Sequence, residues 1–383
     1  MKIRNIVLKD FDFGSRWKDE VEKKGWVYDD FMKSPDWREN WISFDCVLYD
    51  SRTDRVYCGI TSFSGDIFKA YDCRSNTFID LGYDRVRAPY DAKFHRSLLH
   101  GDDGRIYGAV ALLHCIDHYY EAPGGAVVAY DPDSGSIEKL GIPVPHTYIQ
   151  SLIIDWKKRT AYGLGFAPQC LLKFNLDTRE GRMIAPVTSG YGGGVMSENI
   201  VQDDQGCVWS NWGLTRAWAY SVGPDAFRLC KYDPGQDRMI FYQRGLPGDR
   251  PGETAMAESF FNFGDGFIYA GGNNGSLYRI DPVTAEAEKI CVPVTGRRSR
   301  LTSLVQLDRE RVAGIFGRDG QCELFIIDLK SGAFESCGPI VSVDGMTLWQ
   351  CHDLTMTGDG RLYAGENDNP TRSSRLWEIS EWL

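Results

Sequence analysis

The chain holds only six histidines in 383 residues, and two of them lie in one short stretch. His95 sits near the start of KFHRSLL (93–99), and His114 ends GAVALLH (108–114). Imidazoles exchange protons near neutral pH, so a close pair can act as base and orienter, or as base and acid. His352, in CHDLTM (351–356), is the third candidate, whereas His100, His118 and His146 fall in segments that read as turns or loops. Glu198 and Glu258 are the carboxylates best placed to work as a pair across a scissile bond. Arg216, Arg300 and Arg318 have the planar fork that grips an anionic carboxylate in two-point fashion.

Metal and nucleotide chemistry are weaker readings. His114, Asp117 and His118 have the spacing of ligands on one helix face, but this segment reads as a loop after a strand. Glu366, Asn367 and Asp368 offer oxygens without the ordered spacing of a calcium loop. The sequence therefore predicts no cofactor, with a bound divalent metal as the secondary reading. GYGGGV (190–195) lacks the lysine of a phosphate-binding loop and reads as a flexible loop. No serine nucleophile elbow is present.

The elements that must position these groups recur along the chain. A short apolar strand, a polar turn and a second strand with an aromatic followed by small residues repeat seven times. The second strands are DRVYCGI (54–60), GRIYGAV (104–110), RTAYGLG (159–165), GCVWSNW (206–212), GFIYAGG (266–272), RVAGIFG (311–317) and GRLYAGE (360–366). Third strands follow, and many end in a turn-forming Asp, as in KAYD (69–72), VAYD (128–131) and FIID (325–328). A period of this length is that of a propeller blade, an antiparallel meander that buries both faces only between neighbours. The chain is expected to be all-β, a single seven-bladed β-propeller domain over 1–383. Blades occupy 42–383, and the N-terminal stretch KIRNIVL (2–8) supplies the missing strand of the last one, which removes an open edge. Residues 9–41 form an insertion with a helix over Arg16–Lys24 and an aromatic cluster of Trp17, Trp26, Tyr28, Phe31, Trp37 and Trp41. It is expected to pack on the body as a lid or side brace.

In such a blade the start of the first strand and the end of the second open on the same face. The inner-strand starts are Asp45, His95, Tyr148 with Gln150, Glu198, Glu258, Arg300 and His352. The second-strand ends contribute His114, Trp212 with Arg216, Arg318, and Glu366 with Asn367. This polar set bordered by aromatics suits a hydroxyl-rich anionic ligand. A net charge of −10 argues against a nucleic-acid partner. Eleven scattered cysteines without a CxxC pair, and no apolar run of signal or membrane-spanning length, favour a cytoplasmic chain.

The stretch Lys93–Thr178, together with CHDLTMTGDGRLYAGEND (351–368), resembles a group of seven-bladed propeller carbohydrate enzymes: ulvan lyases, rhamnosyl-glucuronate lyases and a related α-L-rhamnosidase family. The resemblance implies a lyase acting on uronic-acid- or rhamnose-containing oligosaccharides by β-elimination. It casts His95 and His114 as the acid/base pair, with Tyr148 as a proton donor and Tyr148 and Arg182 as the nearby candidates from the next blade. Phe166 and Cys170 stand where that pattern has a polar aromatic and a histidine. Two other readings stay open: a glycoside hydrolase using Glu198 and Glu258, and a non-catalytic propeller that binds glycan or protein.

Overall fold

The computed structural model describes residues 1–112, 118–166, 168–189, 197–214, 226–295 and 299–383. The chain divides into two compact units. Unit 1 comprises 1–149, 319–321 and 340–383, and unit 2 comprises 150–318 and 322–339.

Four-stranded antiparallel meanders build both units. In unit 1, one sheet runs Ser43–Asp50, Arg55–Thr61, Phe68–Asp72 and Thr77–Asp80. A second meander, joined to the first in one nine-stranded sheet by the pairing of Thr61 with Lys93, runs from Asp91–Phe94 and Leu99–His100 through Ile106–Leu112 and Val127–Asp131 to Ser136–Gly141. The third joins the two ends of the sequence: Lys2–Ile6 pairs antiparallel with Leu376–Ser380, which continues to Leu362–Glu366 and Cys351–Met356. The N-terminal strand thus completes the last sheet as expected. Ile3 and Ile6 are buried while Lys2 and Arg4 face water. Unit 2 contains four further meanders, with first strands Tyr148–Asp155, Val201–Gln202, Ala257–Asn262 and Leu301–Gln306.

One turn explains much of the repeat. In six of the meanders an Asp or Asn at the end of the third strand accepts backbone N–H bonds from residues two and three further on. Asp72 takes Arg74 and Ser75, Asn175 takes Asp177 and Thr178, and Asp328 takes Lys330 and Ser331. The chain then enters a left-handed conformation four residues on, at Asn76, Gly135, Arg179, Asp237, Ala285 and Gly332. Such Asx turns reverse the backbone without a second turn residue of fixed type.

The repeated aromatic is buried in the same way each time. Tyr57, Tyr107, Tyr162, Trp209, Tyr269 and Tyr363 are all 2% exposed or less. A buried hydroxyl or indole N–H needs a partner, and the preceding hairpin turn supplies one. Tyr107 donates to Asp103 (2.8 Å), Trp209 to Asp203 (2.8 Å) and Tyr269 to Asp265 (2.6 Å).

The insertion is more helical than the sequence suggests. A π-helical turn at Trp17–Glu22 replaces the expected Arg16–Lys24 helix, and two short α-helices follow at Tyr28–Lys33 and Pro35–Asn40. Pro35 starts the second of these, where a missing N–H is harmless. Trp37 is fully buried, stacked on Phe13 at 4.1 Å, with its indole N–H on Glu20 (2.8 Å). Phe31 stacks at 4.6 Å on Phe63, in the loop after strand Arg55–Thr61, so the insertion packs as a brace within unit 1.

Candidate functional site

The sequence-derived candidates form two separate clusters, one in each unit. In unit 1, three inner segments bring Asp45, His95 and His352 together. All three are buried, at 0%, 3% and 2% exposure. One ligand atom from each lies within 4.8 Å of the others. The imidazoles of His95 and His352 meet edge to face, with centroids 4.6 Å apart. The Nδ1 of His352 hydrogen-bonds the Asp45 carbonyl oxygen at 2.6 Å. A carbonyl only accepts, so Nδ1 carries a proton, and in the neutral tautomer Nε2 is the acceptor nitrogen.

Local irregularity aims these side chains. The register shifts between Phe44 and Cys46 against Ile60 and Gly59, which leaves Asp45 as the extra residue of a bulge. His352 occupies the same place between Cys351 and Asp353. His95 lies in the break between strands Asp91–Phe94 and Leu99–His100. Bulges redirect a side chain away from the plain alternation of a strand. Opposite each bulge the partner strand has a glycine two residues after the repeated aromatic, Gly59 and Gly365. A Cβ on Gly59 would meet Phe94 Cβ at 2.5 Å, and one on Gly365 would meet the Phe44 carbonyl at 2.8 Å. The aromatic-x-glycine signature therefore marks where neighbouring inner segments approach closely.

Three polar side chains hold the buried Asp45 carboxylate. Oδ1 accepts from Asn367 Nδ2 (2.9 Å) and pairs with Lys93 Nζ (2.9 Å), and Oδ2 accepts from Thr61 Oγ1 (2.6 Å). Burial raises the carboxyl above its ordinary range, against the opposing charges of Lys93 and His352. Arg96 donates to the His352 carbonyl (2.9 Å) and pairs with Asp353 (3.4 Å). Lys93, Thr61 and Arg96 were not among the sequence candidates. Lys93 and Arg96 flank His95 in sequence, which is the signal that pointed to them.

In unit 2 the second cluster centres on Arg300. One guanidinium nitrogen, Nη2, bonds both Glu198 Oε1 (2.5 Å) and Glu258 Oε2 (2.9 Å). Gln150 donates its amide to the other oxygen of Glu198 (3.2 Å). Burial pulls the Arg300 pKa down, but the charges of Glu258 and Glu198 more than offset it, so the net shift is upward. Glu258 is again a bulge residue, between Ala257 and Ser259. This geometry corrects one expectation: Arg300 is engaged by protein carboxylates instead of standing ready for a ligand. Glu198 and Glu258 are brought together as the sequence suggests, on the two sides of that guanidinium.

Glu366 is also a framework residue. Its fully buried carboxylate takes two bonds from Arg372 (2.8 and 2.9 Å), one from Asn369 (3.1 Å) and the backbone N–H groups of Trp349 (2.9 Å) and Arg375 (2.8 Å). These fill its acceptor sites, so it is not a ligand-binding group. Trp212 donates its indole N–H to the Tyr242 carbonyl (3.1 Å) and packs on Phe241, beside the outermost strand of its sheet. Arg182 likewise lies on an outermost strand, Gly181–Pro186, paired with Asp237 at 2.7 Å. Burial pushes the Cys170 thiol up to about 12. Tyr148 opens its strand and packs against the core of unit 1, and Arg318 is half-buried just after strand Arg311–Phe316. His118 bonds Glu121 (2.8 Å) and Asp29 (3.3 Å). His114, Asp117 and Arg216 lie outside the described residues.

No protein-family model matches the chain, and no curated protein does. Solved structures match in fold. The extracellular domain of BT4673 from B. thetaiotaomicron, described as a one-component system, aligns with TM-score 0.58 at 11% identity, over 88% of this chain and 39% of that one. The extracellular domain of BT3049 from the same organism gives 0.55 at 11%, over 89% and 40%. This chain thus spans about two fifths of each of those two proteins. The WD40 repeats of RRP9 give 0.56 at 10%, over 89% and 95%. These likenesses and the meanders place the chain in the all-β, β-propeller class. Among the described residues no helix is long and apolar enough to cross a membrane.

Proposed function

We propose that the unit 1 cluster is the active site of a carbohydrate-active enzyme that cleaves uronic-acid- or rhamnose-containing oligosaccharides by β-elimination. His95 and His352 act as its proton-transfer pair. The observation that carries this reading is the buried contact of the two imidazoles, with Nδ1 of His352 tied to the Asp45 carbonyl. In the neutral ring that bond places the lone pair on Nε2, the form a general base requires. His352 here takes the part expected of His114.

In the proposed reaction a neutral imidazole removes the proton from C5 of the uronic acid. The electron pair forms the C4–C5 double bond as the C4–O bond breaks, and the second group protonates the departing glycosidic oxygen. Negative charge builds on the sugar carboxylate before the bond breaks, so a nearby cation lowers the barrier. Lys93 is the cation next to His95 and Asp45.

The test is incubation with uronate-containing oligosaccharides, read at about 235 nm where the unsaturated product absorbs. His95→Ala and His352→Ala are each expected to lower kcat by about 10²–10⁴ without loss of fold. Full activity in both variants overturns the assignment. New reducing ends without absorbance indicate hydrolysis instead, and neither signal leaves a glycan- or protein-binding module.

A further inference from the structure

We propose that Asp45, His95 and His352 also form a site for one divalent transition ion, Zn²⁺ in particular. The proposal does not depend on the sugar reading, and the two roles alternate: a ring nitrogen that ligates the ion cannot at the same time accept a proton, so the bound ion would block elimination. Three side chains from three separate inner segments converge so that one donor atom of each lies within 4.8 Å of the others. All three are buried. Two imidazoles and one carboxylate are borderline donors that suit zinc, whereas calcium and magnesium take six or more oxygens. The described residues supply three ligands, which leaves the fourth tetrahedral position to another donor.

The surroundings already have the form that such an ion needs. Metal-ligating histidines give their other ring N–H to a carbonyl or carboxylate, which fixes tautomer and ring plane. His352 does so at 2.6 Å, and its acceptor is the backbone of Asp45, the residue whose carboxylate is the third donor. That bond ties two ligands into one rigid unit. Asn367 and Thr61 orient the carboxylate from the other side chains around it.

A buried carboxylate needs a compensating cation. In the metal-free chain Lys93 provides it, at 2.9 Å from Oδ1. Its side chain is 17% exposed and its stem is flexible, so the ammonium can turn toward water when an ion binds. Lys93 is therefore a competitor for the site, and this separates a metal centre from a purely structural ion pair.

The experiment uses the full chain, stripped with chelator and titrated with Zn²⁺ by calorimetry and with Co²⁺ by visible absorption. One equivalent should bind, with cobalt bands of nitrogen and oxygen ligation and no thiolate charge-transfer band. His95→Ala and His352→Ala should each weaken binding at least about a hundredfold. Lys93→Gln should tighten it, since it removes the competing charge and keeps every ligand. Absence of stoichiometric binding, binding that survives both histidine substitutions, or weaker binding in a folded Lys93→Gln variant overturns the proposal. No sugar assay enters this test, so failure of the elimination reading leaves it standing.

Discussion

Replacing Arg300 by methionine tests the electrostatics of unit 2 most sharply. The guanidinium bridges Glu198 and Glu258, and the three side chains are only 13%, 18% and 15% exposed. Without it, two carboxylates face each other in a shielded site, where Gln150 donates its amide to Glu198. Removing one partner from such an arrangement costs about 3–5 kcal/mol, most of it the desolvation of the charges left behind. Restoring neutrality in the triple variant Arg300→Met, Glu198→Gln, Glu258→Gln should recover most of that loss. The wild-type arrangement is not itself strongly stabilising, because Arg300 Nε is buried without a partner. Urea unfolding of wild type, single and triple variants measures all three terms.

The pH dependence gives an independent check. In the single variant the unpaired carboxylates titrate above their unfolded values, so the folded state binds protons more readily. The deficit is then largest near pH 7 and shrinks as pH falls to about 4, where both groups take up protons. A loss below about 1 kcal/mol at pH 7, the size of an exposed surface pair, refutes the reasoning. So does a deficit that stays constant with pH.

Two further predictions concern other parts of the chain. Arg179 sits at φ 61°, in the left-handed position of its Asx turn, and is exposed, so Arg179→Gly should raise stability by about 0.5–1 kcal/mol in the same assay. Gly365→Ala should cost about 1–3 kcal/mol, because its Cβ would press on the Phe44 carbonyl next to Asp45, and it should also weaken Zn²⁺ binding. A third follows from His118, whose pKa is raised by its bonds to Glu121 and Asp29. The folded pKa exceeds the unfolded one, so this contact is fully present below the unfolded value and is lost as pH rises through the raised one. Proton exchange at Glu121 and Ala122 should speed up across that interval, and His118→Gln should abolish the dependence.

The fold was legible because its signals are local and repeated. The aromatic of each second strand and the Asp that ends the third are fixed by turn chemistry, which sequence displays directly. Pairing of Lys2–Ile6 with Leu376–Ser380 was foreseeable because the last meander was short by one strand. The site was legible in part. Asp45, His95 and His352 were singled out as inner-strand starts, yet nothing in their spacing showed the bulges that turn two of them toward a common point. Glu366 shows the opposite difficulty. Its place at a strand end suggested an available carboxylate, and only the fold reveals that Arg372, six residues on, returns to neutralise it. The two short helices of the insertion were hidden because each is too brief to show a helical period.

Pairing the first strand with the last has a consequence for synthesis. Lys2–Ile6 leaves the ribosome long before Leu376–Ser380 exists, so Ile3 and Ile6 travel unburied while nearly the entire chain is made. The sheet they belong to is the last to be completed, whatever the order of the others. A nascent chain stalled before Leu376 therefore carries two open strand edges, on Lys2–Ile6 and on Leu362–Glu366, and these are the surfaces on which such an intermediate would aggregate or recruit a chaperone.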